Sequence, residues 1–334
     1  MKAIVYSTKT FEKELLAKAN CKKHDITLIS NPLNIDTVSY VEGKDAVIVF
    51  SNDDLSTPVI DKLAEFGIKY ISTRSGDIAN INRDTAAKYG IKVAHVPHSP
   101  ESIAEHVLTL VLALNRKLIT AVKRSSDFDF SLEGLTGFNL EGKTIGLIGY
   151  DSTGAATAKI FKNLGCNVLI ADEYLNEEPE FGQSCDLEYL LAHSDIISLH
   201  ISFENVTKHI INRESMSKMK KGVMLINTSR GGLLHTSDVL EALKSGQLGY
   251  LGADVFENEP STFSGRDKDS SVRNPILEEL INMPNVIVTP HQGFLTKETI
   301  EEIAYQTIKN LDNWQAGKCV GKACACSQDC VVKH

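Results

Sequence analysis

The chain has 334 residues, 42% hydrophobic and 23% charged, which is long enough for two domains each with its own core. A net charge of −8 and a pI near 5.7 exclude the concentrated basic face that a nucleic acid or an anionic membrane would require. No apolar run approaches the roughly 18 residues of a membrane span, and Met1-Lys2-Ala3-Ile4-Val5-Tyr6 reads as a strand rather than a signal peptide, so a cytoplasmic protein is expected.

In chain order, strand-like apolar runs (Ala3 to Ser7, Ile26 to Ile29, Ala46 to Phe50, Tyr70 to Thr73, Val93 to Val96) alternate with helical segments such as Thr10 to Ala19 and Pro58 to Phe66. That alternation predicts a doubly wound α/β fold. Pro97 and Pro100 interrupt it, and Glu101 to Arg124 reads as one long helix joining two domains. A βαβ unit follows: strand Ile145 to Ile148, helix Thr153 to Leu164 closed by Gly165, and strand Val168 to Ala171. Gly149-Tyr150-Asp151-Ser152-Thr153-Gly154 lies where the dinucleotide fingerprint G-x-G-x-x-G belongs. Asp172, 172 − 154 = 18 residues past the last glycine, lies where a carboxylate would hold an adenosine ribose. The middle glycine of the fingerprint is Asp151, which either opposes a pyrophosphate or caps the helix that begins near Thr153. Further strands are read at Ile196 to Ile201, Val223 to Asn227, Leu251 to Val255 and Val286 to Thr289, with a last helix from Thr296 to Trp314.

Three of these strands end on reactive groups. Asn227-Thr228-Ser229-Arg230-Gly231-Gly232 brings an arginine into a glycine turn, where a guanidinium can grip a carboxylate with two parallel hydrogen bonds. Asp254-Val255-Phe256-Glu257-Asn258-Glu259-Pro260 places acids past a second strand, and Thr289-Pro290-His291 places a histidine past a third. An acid beside an imidazole raises its pKa and fixes its orientation, which suits proton transfer near neutral pH. Taken singly, each reads as a surface cap, a solvated acid or a loop histidine; together beside a nucleotide fold they read as a site.

These motifs, N-T-S-R-G-G, D-V-F-E-N-E-P and V-T-P-H-Q-G-F, resemble those of the NAD-dependent D-2-hydroxyacid dehydrogenases. Ser99 to His106 and Phe130 to Phe138 are most similar to the fermentative D-lactate branch, and the resemblance runs to about Gly317. It implies two parallel-sheet domains with a crevice between them. One is a discontinuous flavodoxin-like substrate domain (1–100 plus 297–318), the other a Rossmann coenzyme domain (101–296). It further implies NAD as coenzyme, a small 2-keto acid such as pyruvate as substrate, and a homodimer or larger assembly. Carried over, Arg230 binds the substrate, His291 protonates its carbonyl, and Glu259 keeps His291 charged. Ser75, Gly76 and Asp77 assist at the substrate carboxylate. Gly149 to Gly154, Asp172, Thr228 and Asp254 serve the coenzyme.

The chain also departs from that pattern. Asp77 replaces a glycine, His98 stands near the place of a tyrosine, and Ser202 replaces a proline after Leu199-His200-Ile201. Asp77 and Asp151 favour the alternative of a relative that keeps the fold, binds nucleotide weakly and acts as a sensor or partner-binding protein; Arg230, Glu259 and His291 together favour an enzyme. No metal site is expected at His98 or His200, which have no ligand partner at suitable spacing. The tail, residues 319–334, carries Cys319, Cys324, Cys326 and Cys330. Its spacing differs from a zinc ribbon, and it reads first as a mobile, idle tail, with soft-metal binding and redox sensing as the other readings.

Overall fold

The computed structural model describes the chain apart from residues 77, 79, 97, 98, 176, 258–273 and 327–334. Two compact units emerge, Met1–Ser99 with Leu295–His334, and Pro100–Phe294.

In the first unit, β1 (Lys2–Val5), β2 (Asp25–Leu28), β3 (Ala46–Val49), β4 (Tyr70–Thr73) and β5 (Lys92–Ala94) form a parallel sheet in the order β2-β1-β3-β4-β5. This is the flavodoxin-like order. β3 is Ala-Val-Ile-Val and wholly buried, as a central parallel strand covered on both faces must be. The helix Lys297–Gln315 joins this unit from the far end of the sequence. Its Ile308, Leu311 and Trp314 complete a core with Ala3, Val5 and Ile48, and Trp314 stacks on Tyr70 at 4.8 Å.

The second unit holds β6 (Thr144–Ile148), β7 (Asn167–Ala171), β8 (Gln183–Ser184), β9 (Ile196–Leu199), β10 (Val223–Asn227), β11 (Leu248–Ala253) and β12 (Val286–Val288). They are all parallel, in the order β12-β11-β10-β9-β6-β7-β8. The strand order therefore reverses between β6 and β9, the place where open α/β sheets bind ligands.

Two expectations are corrected. The stretch from Glu101 to Arg124 is two helices, Pro100–Asn115 and Leu118–Ser126, separated at Lys117, which is left-handed (φ 48°). Asn115 stops the first helix by pairing with distant backbone: its Nδ2 donates to the Phe138 carbonyl at 2.7 Å and its Oδ1 accepts Phe138 N–H at 2.8 Å. The tail is packed rather than mobile as far as Cys326. Cys324 forms an antiparallel bridge with Ala94, and Ala325, 5% exposed, enters the core of the first unit while its N–H donates to Val93 at 2.9 Å. An edge strand leaves unpaired backbone groups, and the tail satisfies those of β5.

Candidate active site

Strands β10, β11 and β12 lie side by side with Asn227 opposite Ala253 and Ala253 opposite Val288, so their C-terminal loops emerge together. The first loop is shaped by Asn227, whose Oδ1 accepts Ser229 N–H at 3.1 Å and whose Nδ2 donates to the Arg230 carbonyl at 2.8 Å. Arg230 is half-buried, with Nη1 donating to the Ser229 carbonyl at 2.6 Å. A Cβ at Gly231 would lie 2.0 Å from the Phe256 carbonyl carbon. Glycine therefore lets the Arg230 turn rest directly on the backbone of the loop after β11.

Asp254 is the anchor of the other two loops. At 1% exposure it accepts Thr289 Oγ1 at 2.5 Å, Gln292 N–H at 2.9 Å and Gly293 N–H at 2.8 Å, with His106 Nε2 3.2 Å away. His106 Nε2 also lies 3.1 Å from Thr289 Oγ1. Burial works against ionisation of this carboxyl, but the bonds from His106, Thr289 and Gln292 together with the imidazole charge outweigh it and hold its pKa below the usual carboxylate value. His291 sits inside this frame, its N–H donating to the Asp254 carbonyl at 2.8 Å and to Thr289 at 3.0 Å. Its φ of 54° is left-handed, a conformation a β-carbon disfavours and which the surrounding bonds impose. The sequence places Asp254 on the coenzyme side; here its carboxylate is turned into the loop that carries His291. His106 reads in the sequence as a packed or interdomain histidine; its bond to Asp254 is not legible there, because nothing local in a helix sequence signals a carboxylate so far along the chain.

Among the other acids, Glu257 is bound by His209 and by Thr236, each at 2.7 Å, and these bonds lower its pKa against the effect of burial. Glu259 and Asp77 lie outside the described residues, as does His98. In the first unit Ser75 is buried and Gly76 exposed just beyond β4, following Arg74. Arg74 is itself fully buried, paired with Glu12 and donating to the Tyr6 carbonyl at 2.6 Å.

At the reversal of strand order, the glycine loop links β6 to the helix Ser152–Asn163. Gly149 has φ 95°, and a Cβ there would meet the His200 carbonyl oxygen at 2.3 Å, so only glycine permits the turn. Gly154 is similarly close, 2.9 Å from the Gly149 carbonyl. Asp151 caps the helix: its Oδ1 accepts Thr153 N–H and Gly154 N–H, both at 2.9 Å, and the Thr153 hydroxyl at 2.6 Å. With its proton given to Asp151, Thr153 Oγ1 must accept from His200 Nδ1 at 3.1 Å, and His200 Nε2 then accepts from Ser198 Oγ at 2.9 Å. Burial lowers the His200 pKa, partly opposed by Asp151, so this imidazole is neutral and structural. Asp172, at the end of β7, accepts Tyr150 N–H at 2.7 Å and Tyr174 N–H at 2.8 Å.

These features fit a dinucleotide. A glycine turn no side chain can share, a helix N-terminus and a carboxylate on the neighbouring strand stand in the arrangement such ligands need. Thr228 Oγ1, past the end of β10, is buried with no hydrogen-bond partner among the described residues, an acceptor or donor left for a ligand. Among the described residues no group of three His, Cys, Asp or Glu side chains is arranged to hold a metal ion.

Residues 108–293 match the family model described as D-isomer specific 2-hydroxyacid dehydrogenase, NAD binding domain. The chain is 41% identical over 321 residues to 2-hydroxyacid dehydrogenase A of Aspergillus oryzae, covering 94% of this chain and 92% of that one. It is 38% identical over 322 residues to D-lactate dehydrogenase of Escherichia coli K12, covering 95% and 98%. A solved structure of the pyruvate reductase of Chlamydomonas reinhardtii superposes with a TM-score of 0.89 at 38% identity, covering 96% and 98%. With that sequence match lying over the strands that bear the glycine loop and the Asp254 frame, the chain belongs to the D-isomer-specific 2-hydroxyacid dehydrogenases, oxidoreductases whose coenzyme is NAD.

Proposed function

We propose that the protein reduces pyruvate, or a 2-keto acid of similar size, to the D-2-hydroxy acid with NADH. The observation that carries this reading is the joint emergence of the Arg230 and His291 loops from β10 and β12, the two strands that flank β11, with buried Asp254 at the end of β11 bonded to the Asn227 carbonyl on one side and to the His291 loop on the other. In this reading the second unit holds the coenzyme through Gly149 to Gly154, Asp172 and Thr228, and the first unit serves the substrate. Asp172 would accept the ribose hydroxyls and repel a 2′-phosphate, selecting NAD over its phosphorylated form. Arg230 holds the substrate carboxylate, for which a guanidinium fork is the matched partner. When bound, NADH supplies the hydride that adds to the keto carbon. His291 gives its proton to the carbonyl oxygen, neutralising the alkoxide as it develops, and Glu259 favours the charged imidazole that can do so. Asp254 serves the coenzyme side, and it also holds His291 in its left-handed turn. Retention of Arg230 and His291 in an ordered frame favours the enzyme over a sensor that has lost catalysis.

The test is NADH oxidation by the purified protein against a panel of 2-keto acids, with NADPH as control and chiral analysis of product. Preference for NADH, turnover with pyruvate and a D product are expected. Equal rates with NADPH would refute the Asp172 role, and no turnover with any 2-keto acid would leave the sensor reading in its place.

A further inference from the structure

Three of the seven cysteines line one cavity of about 110 Å³ in the first unit, together with Lys92 and the only tryptophan, Trp314. Cys319 enters from the turn that follows the helix Lys297–Gln315, and Cys324 and Cys326 enter from the tail segment paired with β5. All three are half-buried, open enough for a small reagent yet held by the fold. Cys324 and Cys326 flank Ala325, which points into the core, so alternation along an extended chain turns both sulfurs to the opposite side. The position of Cys326 is fixed by Val93, whose N–H meets its Sγ at 3.3 Å and whose carbonyl lies 3.6 Å from it. Cys21, by contrast, is exposed, and Cys166 is buried, where desolvation raises its thiol pKa. Neither has a cysteine within its own stretch of chain.

Convergent thiols serve as soft-metal ligands or as a redox pair. Two such thiols brought together by the fold can exchange with a disulfide. Cys324 and Cys326 stand two residues apart on an extended strand, at roughly 6.6 Å between Cα atoms, the outer limit for a bridge. Cys319 lines the same cavity from a different segment of chain, so that spacing does not limit its pairing with either.

We infer that this cavity is a reversible thiol–disulfide site, in which Cys319 pairs with Cys324 or Cys326 on reaction with a small disulfide oxidant. One thiolate attacks the oxidant RS–SR, forming a mixed disulfide and releasing one RSH. The second thiol of the pair then displaces the other RSH, so that two protein thiols and RS–SR become one protein disulfide and two RSH. Two electrons pass to the oxidant, and the end of the last helix is covalently tied to the tail on β5.

The full-length protein is treated with oxidised glutathione, followed by thiol counting, disulfide peptide mapping and Trp314 emission. Expected are the loss of two of the seven thiols, a bridge from Cys319 to Cys324 or Cys326, and a change in Trp314 emission, all reversed by dithiothreitol. Cys319→Ser should stop the bridge and accumulate a glutathione adduct on a tail cysteine, while Cys21→Ser should behave as wild type. Mapping of the bridge to Cys330 or between chains, or retention of all seven thiols, would overturn the assignment. The outcome is read without turnover, so it stands or falls independently of the proposed reaction.

Discussion

Asp151 shows that a helix cap and an electrostatic obstacle can be the same group. Its carboxylate satisfies two N–H groups at the start of the helix Ser152–Asn163, which stabilises that helix as Asp caps generally do. Those groups belong to the terminus on which a dinucleotide pyrophosphate rests, so the cap carries its charge to the place where an anion arrives. At ~5 Å and an effective dielectric of ~20 each phosphate charge is opposed by about 3 kcal/mol. Asp151 is exposed, so solvent and salt reduce this term, and a roughly tenfold effect is what should survive. Asp151→Asn keeps the cap and removes the charge. It should tighten NADH binding by roughly tenfold at low ionic strength and by less in high salt, measured by fluorescence titration. Equal dissociation constants for the two proteins at low salt would show that the charge lies clear of the coenzyme. The capping role was legible from the sequence because it is local; the hydrogen bonds from Thr153 to His200 and on to Ser198 were not, since they join two loops.

Among the elements, the helix Pro100–Asn115 does more than pack: through His106 it reaches the carboxylate that fixes the loop carrying His291. Removing the imidazole charge while keeping a donor, as in His106→Gln, should let the Asp254 pKa rise towards its ordinary value. A carboxylate with a depressed folded pKa contributes stability that is present above its unfolded pKa and lost as pH falls through the folded one. The variant should therefore lose activity and loop order at a higher pH on the acid side than wild type, with neutral-pH rates within a few-fold. His106→Ala, which also removes the donor, should lower kcat by roughly 10- to 100-fold, the scale of a slightly misplaced catalytic group, with NADH affinity unchanged. An acid limb that stays put in His106→Gln would mean that His106 only fills space. Sequence periodicity placed eleven of the twelve strands among the described residues within a few residues, because buried parallel strands are short, apolar and bounded by turns. It passed over β2's polar start, the two-residue β8, the break at Lys117 and the docking of the tail. Each of these depends on a partner remote in sequence: Phe138 for Asn115, and β5 for Cys324 to Cys326.

For the molecule as a whole, two separate sets of buried residues imply that stability can be altered in one unit at a time. Glu12 and Arg74 lie within the first unit, and Arg74 is fully buried with its guanidinium on Glu12, on the Tyr6 carbonyl and 5.4 Å from the centre of the Phe50 ring. Glu12 has a second task, accepting Lys9 N–H at 2.8 Å at the start of the helix Thr10–Asn20. Glu12→Ala strands a buried charge, for which about 3 to 5 kcal/mol is the expected cost. Trp314, the single tryptophan, stacks on Tyr70 in the same unit and so reports its unfolding. NADH at 100 times its dissociation constant should add about 2.7 kcal/mol to the unit that binds it. Denaturant titration of Glu12→Ala should thus show the Trp314 transition at a lower midpoint, while amide exchange in β6, β10 and β11 keeps wild-type protection and slows further with NADH. If the substitution lowers protection in those three strands as much as it lowers the Trp314 midpoint, the chain unfolds as one cooperative block, and the two cores are not separate energetic units.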